Sequence, residues 1–144
     1  MVKTNRKGIS TELYCIGAFA ELGYECYVPN SEDSRYDFIA DVDGKLIRVQ
    51  SKACSIQNNG DSIAFSCRST RGNTRGNISS LYTKEEIDYF CTYYEGKCYL
   101  VPVEECVTEK KLRFTHPKNN QQKAINYASD YELSTQVSKI LNKN

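Results

Sequence analysis

Apolar positions recur at helical spacing through Leu13, Ile16 and Ala20, with Phe19 beside them. Ser10 has the chemistry of an N-cap, Glu12 then falls in the first turn, and Gly23 supplies a stop. From Tyr24 the period changes. Tyr24 to Val28 predicts a short strand closed by Pro29, and a polar loop, Asn30 to Arg35, leads into a second strand over Tyr36 to Val42. Asp43-Gly44 is a two-residue hairpin turn, so Lys45 to Ala53 predicts the antiparallel partner. Ser62 to Cys67 predicts another strand, and Arg68 to Asn77, with three arginines and two glycines, predicts an exposed loop. Thr83-Lys84-Glu85-Glu86 has the form of a capping box, and Ile87, Phe90, Cys91 and Tyr94 continue it at i, i+3, i+4, i+7, which predicts a helix ended by Gly96. Lys97 to Val103 predicts a buried strand, and Leu112 to Phe114 a short edge strand. The tail from about Gln121 predicts helix, with Val137, Ile140 and Leu141 on one face. This order predicts a mixed sheet flanked by helices, an α/β (α+β) fold.

Composition narrows the class. The 144 residues, 40% hydrophobic and 26% charged, suit one globular domain over 1–144, with no repeat or linker to divide it. No apolar run is long enough to cross a bilayer, and the basic opening MVKTNRKGIS lacks the apolar stretch of a signal peptide, so the expectation is a soluble, cytoplasmic protein without a membrane partner. Seven cysteines stand at 15, 26, 54, 67, 91, 98 and 106, with no C-x-x-C pair and none within nine residues of the single histidine, His116. That spacing predicts reduced cysteines in apolar packing and no structural zinc.

The chemistry concentrates on one hairpin. In the strand ending Ile47-Arg48-Val49-Gln50-Ser51-Lys52, alternation turns Ile47 and Val49 to the core and Arg48, Gln50 and Lys52 together to the other side. Asp37 begins the neighbouring strand, beside the end where Gln50 and Lys52 emerge. An acid, an amide oxygen and a lysine then converge. These are parts suited to metal-assisted phosphodiester hydrolysis: hard oxygen ligands for Mg²⁺, and a cation for the charge developing on phosphate. Asp41 and Asp43 have the positions of hairpin and turn residues, and His116-Pro117 of a loop.

Asp37 and Gln50-Ser51-Lys52, with Glu12 on an upstream helix, resemble the PD-(D/E)XK nuclease superfamily, whose fold is a restriction-endonuclease-like mixed sheet flanked by helices. The opening Arg6-Lys7-Gly8, Glu12, Gly23-Tyr24 and Tyr36-Asp37 resembles archaeal Holliday-junction resolvases. The Q-x-K form of Val49-Gln50-Ser51-Lys52 is closer to the homing endonucleases associated with group I introns. Tyr82, Ile87-Asp88-Tyr89-Phe90, Cys98 to Pro102 and Asn119-Asn120-Gln121 also resemble that group, so the likeness runs from about residue 6 to 132. It implies Asp37 as metal ligand, Gln50 in place of the usual acid, Lys52 as catalytic lysine and Glu12 as an accessory metal or water ligand, with the Ser51 carbonyl as a further ligand. The cofactor implied is Mg²⁺, with Mn²⁺ as a substitute. The sequence departs from the pattern at two points: Tyr36 stands where a proline would precede the acid, and Gln50 carries no charge.

The net charge of +1 conceals local asymmetry. Residues 1–11 carry Lys3, Arg6 and Lys7 without an acid, and residues 62–84 carry Arg68, Arg71, Arg75 and Lys84 without an acid. With Arg35, the six residues Lys3, Arg6, Lys7, Arg68, Arg71 and Arg75 are the candidate DNA contacts. The expected activity is Mg²⁺-dependent DNA cleavage by a homing or mobile-element nuclease acting on double-stranded or branched DNA as a homodimer or homotetramer. The alternatives are a structure-selective junction resolvase and an inactive DNA-binding module.

Overall fold

The computed structural model describes residues 2–73, 76–115 and 125–143, with only the backbone at 2–6, 70–73 and 76–79. Helix α1 (Val2–Glu21) lies against a five-stranded sheet built from β1 (Glu25–Tyr27), β2 (Phe38–Val42), β3 (Lys45–Ser51), β8 (Tyr89–Tyr94) and β9 (Lys97–Pro102), in the order β1-β2-β3-β8-β9. All pairs are antiparallel except β3 with β8, which makes the sheet mixed, as expected. A second sheet sets β5 (Ser62–Ser66) between β10 (Glu109–Arg113) and β4 (Ser55–Gln57). Among the described residues, strands β6 (Arg68–Asn73) and β7 (Gly76–Leu81) pair only with each other, and α2 (Leu133–Leu141) follows near the C-terminus.

Alternation along the central strands divides the core into two layers. Phe38, Ala40, Ile47, Val49, Cys91 and Leu100 turn to one side and meet Cys15 and Phe19 of α1 and Leu133, Val137 and Ile140 of α2. Phe90, Tyr99 and Val101 turn to the other side and meet Ile63, Phe65 and Leu112 of the second sheet. Within the main sheet, only β8 and β9 are buried on both faces at their centres, whereas β2 and β3 alternate buried with half-buried residues and so have one fully covered face.

Four sequence expectations require correction. Helix α1 begins at Val2, so Ser10 lies inside it and Glu12 is not in its first turn. The Thr11 hydroxyl donates to the Lys7 carbonyl one turn back (2.9 Å), which satisfies it within a helix already under way. Residues 83–94 do not form a helix. The Thr83 amide does donate to Glu86 Oε1 (3.0 Å), one arm of the predicted capping box, but the Asp88 amide then donates to the Arg48 carbonyl (2.9 Å) and is taken by the sheet. Tyr89–Tyr94 is aromatic-rich and buried on both faces over its first four residues, where apolar periodicity cannot separate helix from strand and β-preference prevails.

Gly96 accordingly serves the β8–β9 turn, with Glu95 at φ 46° and Gly96 at φ 83°. The third correction concerns the predicted loop after Arg68, which is the β6–β7 hairpin, registered from Arg68 opposite Leu81 to Asn73 opposite Gly76. The fourth is that α2 starts only at Leu133, and Leu141 is 38% exposed while Val137 and Ile140 are buried. The start of the predicted tail, residues 121–124, lies outside the described residues, as do Arg75, His116 and the Asn119-Asn120-Gln121 stretch. The Asp43-Gly44 turn forms as expected, with φ 51° and 92°, and the Gly44 amide donates to Asp41 Oδ1 (2.7 Å).

Candidate active site at the β2–β3 end of the sheet

The β2–β3 hairpin brings the candidate residues together by register. Phe38 pairs with Val49, and the Asp37 amide donates to the Val49 carbonyl (2.8 Å), so the ladder continues one residue beyond β2 and sets Asp37 beside Gln50. Asp37 Oδ2 accepts two hydrogen bonds from one residue, the Ser51 amide (2.9 Å) and the Ser51 hydroxyl (2.8 Å). Oδ1 has no hydrogen-bond partner among the described residues. Ser51 is 9% exposed, so this clamp is anchored in the core.

Glu12 approaches from α1, half-buried. Burial first, and then the charge of Asp37, hold its carboxyl above the usual range. Two carboxylates in mutual repulsion form an oxygen-rich, negative donor set, which suits a hard divalent cation. Gln50 is half-buried on β3 and adds a neutral amide oxygen, while Ser51 brings its carbonyl to the same end of the strand.

Lys52 follows the strand. Its amide donates to the Cys91 carbonyl (2.8 Å), so the parallel pairing of β3 with β8 fixes its backbone, and its Nζ donates to the Arg68 carbonyl (2.7 Å) at the start of β6. Burial draws its pKa below the ordinary lysine value, against the opposing pull of Asp37. The Tyr82 ring lies 5.4 Å from Lys52 Nζ and 4.1 Å from the Arg35 guanidinium, and packs edge-on to Phe90 at 5.3 Å. Arg35 is held by Glu86 (2.9 Å) and by the Leu81 carbonyl (2.9 Å), where β7 ends.

The candidate residues divide into three groups. Glu12, Asp37, Gln50, Ser51 and Lys52 gather at one end of the sheet. Among the candidate DNA contacts, Arg35 lies beside this centre, Lys7 is exposed with its Nζ donating to the Cys54 carbonyl (3.1 Å), and Arg68 is exposed where β6 begins. Lys3, Arg6 and Arg71 are placed by backbone alone, on α1 and β6. Arg48, which alternation grouped with Gln50 and Lys52, belongs to a structural network instead: its guanidinium donates to both oxygens of Asp88 (3.1 and 3.0 Å) and its amide to Asp88 Oδ2 (2.8 Å). Sequence reasoning missed the Ser51 side chain as the clamp on Asp37, and Tyr82 as a platform for two cations. Alternation had placed Ser51 on the opposite face from Gln50, and only the position of Asp37 just outside β2 brings the two together.

The geometry therefore presents carboxylates, an amide and a lysine at one end of the strands of a mixed sheet. The sequence model of the PD-(D/E)XK endonuclease family matches residues 2–134. The chain belongs to the PD-(D/E)XK endonuclease family. Its fold resembles a bacterial homing endonuclease, I-Ssp6803I, with a TM-score of 0.74 and 23% sequence identity over 98% of this chain and 99% of that one. No curated protein sequence matches the chain. PD-(D/E)XK membership makes the protein a nuclease by family. Among the described residues, no helix is long and apolar enough to cross a membrane.

Proposed function

We propose that this nuclease is a divalent-metal-dependent DNA endonuclease of the homing or mobile-element type, with Glu12, Asp37, Gln50 and Lys52 as its catalytic residues, working inside the cell. The observation that carries the proposal is the approach of Glu12 to Asp37 at the strand end that carries Gln50 and Lys52. The oxygen-only donors favour Mg²⁺, with Mn²⁺ as a substitute; Glu12, Asp37, Gln50 and the Ser51 carbonyl would hold it. Such a cation supplies Lewis acidity toward a phosphate oxygen and lowers the pKa of water.

The chain itself orients and stabilises. The Ser51 clamp fixes one oxygen of Asp37 and leaves the other for ligation. Glu12, with its raised proton affinity, is suited to take a proton from the attacking water. Water oxygen bonds to phosphorus as the bond to the leaving deoxyribose oxygen breaks, and the ammonium of Lys52 faces the extra negative charge on the phosphate. Gln50 neutralises none of the cation's charge, so Gln50→Glu retains or raises cleavage.

The β6–β7 hairpin starts at the lysine's own hydrogen-bond partner, which favours Arg68 and Arg71 as phosphate contacts near the scissile bond, with Arg75, Lys3, Arg6, Lys7 and Arg35 as further candidate contacts from sequence. One domain presents one such centre, and cutting both strands of a duplex requires a second copy, in a homodimer or homotetramer. The deciding experiment is Mg²⁺-dependent nicking of DNA bearing the target site, compared between wild type, Asp37→Ala and Lys52→Ala. Cleavage by wild type alone supports the assignment, and equal cleavage by the variants overturns it. Running a four-way junction beside the duplex separates a homing enzyme from a junction resolvase, and DNA binding without nicking by wild type identifies a DNA-binding module.

A further inference from the structure

Behind the nuclease centre, three cysteines distant in sequence converge. Cys15 on α1, Cys91 on β8 and Cys98 on β9 place their sulfur atoms within 4.8 Å of one another. Cys91 pairs with Leu100, and Cys98 pairs with Tyr93, so the two strand cysteines are diagonal neighbours on the sheet face turned toward α1. All three are buried, at 0%, 0% and 4% exposure. Sequence spacing predicted no such site, because its ligands are contributed by a helix and two strands rather than by a short C-x-x-C loop.

The donor set consists of three sulfurs. Hard Mg²⁺ has no affinity for such a set, whereas soft cations prefer it. Metal–sulfur bonds of about 2.3 Å in a trigonal arrangement hold the sulfurs about 4 Å apart, so the observed cluster meets that requirement with little movement. We propose that Cys15, Cys91 and Cys98 form a buried, three-coordinate, all-sulfur site for one soft thiophilic cation of the Cu⁺ or Cd²⁺ class, separate from the carboxylate centre. The position gives such a cation a structural consequence. Cys15 lies three residues after Glu12, and the Cys91 carbonyl holds the Lys52 amide. A bound cation would therefore fasten α1 to β8 and fix the separation between the two halves of the nuclease centre.

The test uses the reduced full-length protein in excess Mg²⁺, so that the carboxylates are satisfied, and titrates Cd²⁺ while following the sulfur-to-cadmium charge-transfer absorption. One Cd²⁺ per chain is expected, with a rise in thermal midpoint through preferential binding to the folded state. The signal should vanish in Cys98→Ser and persist in the Cys67→Ser/Cys106→Ser double variant. X-ray absorption of the Cu⁺-loaded wild type, which counts sulfur neighbours without any substitution, should give three. No stoichiometric uptake by wild type, a signal that survives Cys98→Ser or follows Cys67 and Cys106, or a copper shell of nitrogen and oxygen would each overturn the assignment. None of these readouts depends on DNA cleavage.

Discussion

Ser51→Ala isolates the clamp on Asp37. Wild-type Ser51 gives Oδ2 two hydrogen bonds, at 2.9 Å from its amide and 2.8 Å from its hydroxyl, and the substitution removes only the second. A hydrogen bond to a charged group contributes about 1.5–3 kcal/mol net. Asp37 is half-buried, so water replaces part of that, and about 1–1.5 kcal/mol remains. The loss falls on the orientation of the free carboxylate oxygen. At about 1.4 kcal/mol per decade, metal affinity drops roughly tenfold, at the lower end of the effect of removing a partner that orients a metal ligand.

The assay is initial nicking rate against Mg²⁺ concentration. The half-saturating concentration should rise about tenfold, with the rate at saturation within about threefold of wild type. The same loss predicts a thermal midpoint lower by about 2–4 °C for each kcal/mol in a chain of this size. A folded variant with unchanged half-saturation would refute the clamp as a support for metal binding. So would a rate deficit that added Mg²⁺ fails to recover.

Three further predictions separate the parts of the centre. Glu12 has a raised pKa in the fold, so its contribution to stability is complete below the unfolded value and falls as pH rises through the folded one. Glu12→Gln should therefore raise the metal-free thermal midpoint at pH ~7 while abolishing nicking, and an equal decrease at pH ~4 and ~7 would contradict this. Tyr82→Leu removes the aromatic face from Lys52 and Arg35; at about 0.5–2 kcal/mol for such contacts, the saturated rate should fall about 3- to 30-fold with Mg²⁺ dependence unchanged, and a shift in half-saturation instead would show that the ring acts on the metal site. Burial opposes ionisation of Asp88, but the hydrogen bonds from Arg48 prevail and hold its pKa below the usual value, so its stabilisation is present above pH ~4 and is lost as pH falls through the folded pKa. Asp88→Ala should cost about 2 kcal/mol at neutral pH after allowance for solvent at this part-exposed network, read as a lower urea midpoint, and the gap to wild type should narrow as pH falls below the ordinary carboxylate range.

The hairpin that carries the candidate centre was legible because three local signals agreed there: apolar alternation, the Asp43-Gly44 turn, and polar residues facing away from the core. Agreement failed at residues 83–94. Thr83 and Glu86 form the expected local hydrogen bond, but the following residues are fixed by the Arg48–Asp88 network and by pairing with β3 and β9, which are long-range contacts that periodicity does not encode. The β6–β7 hairpin was hidden for another reason. Its sequence has no alternating apolar face, so its strands are visible only through their backbone pairing. Within the candidate site, Glu12, Asp37, Gln50, Lys52 and the Ser51 carbonyl are candidates by sequence, whereas the Ser51 side chain and Tyr82 join them only through where the fold delivers them. The cysteine cluster is the extreme case, since Cys15 and Cys98 are 83 positions apart in the chain.

Because β6 and β7 pair with neither sheet, this arm can change length or sequence without shifting the register of any core strand. Two backbone carbonyls at its root, Arg68 and Leu81, join it to Lys52 and Arg35. Carbonyls are indifferent to side-chain identity, so the root connections would survive wholesale replacement of the arm. If the arm contacts DNA as proposed, the scaffold separates the inheritance of chemistry from the inheritance of target choice: a lineage could exchange the arm repeatedly while the candidate catalytic residues stay as they are.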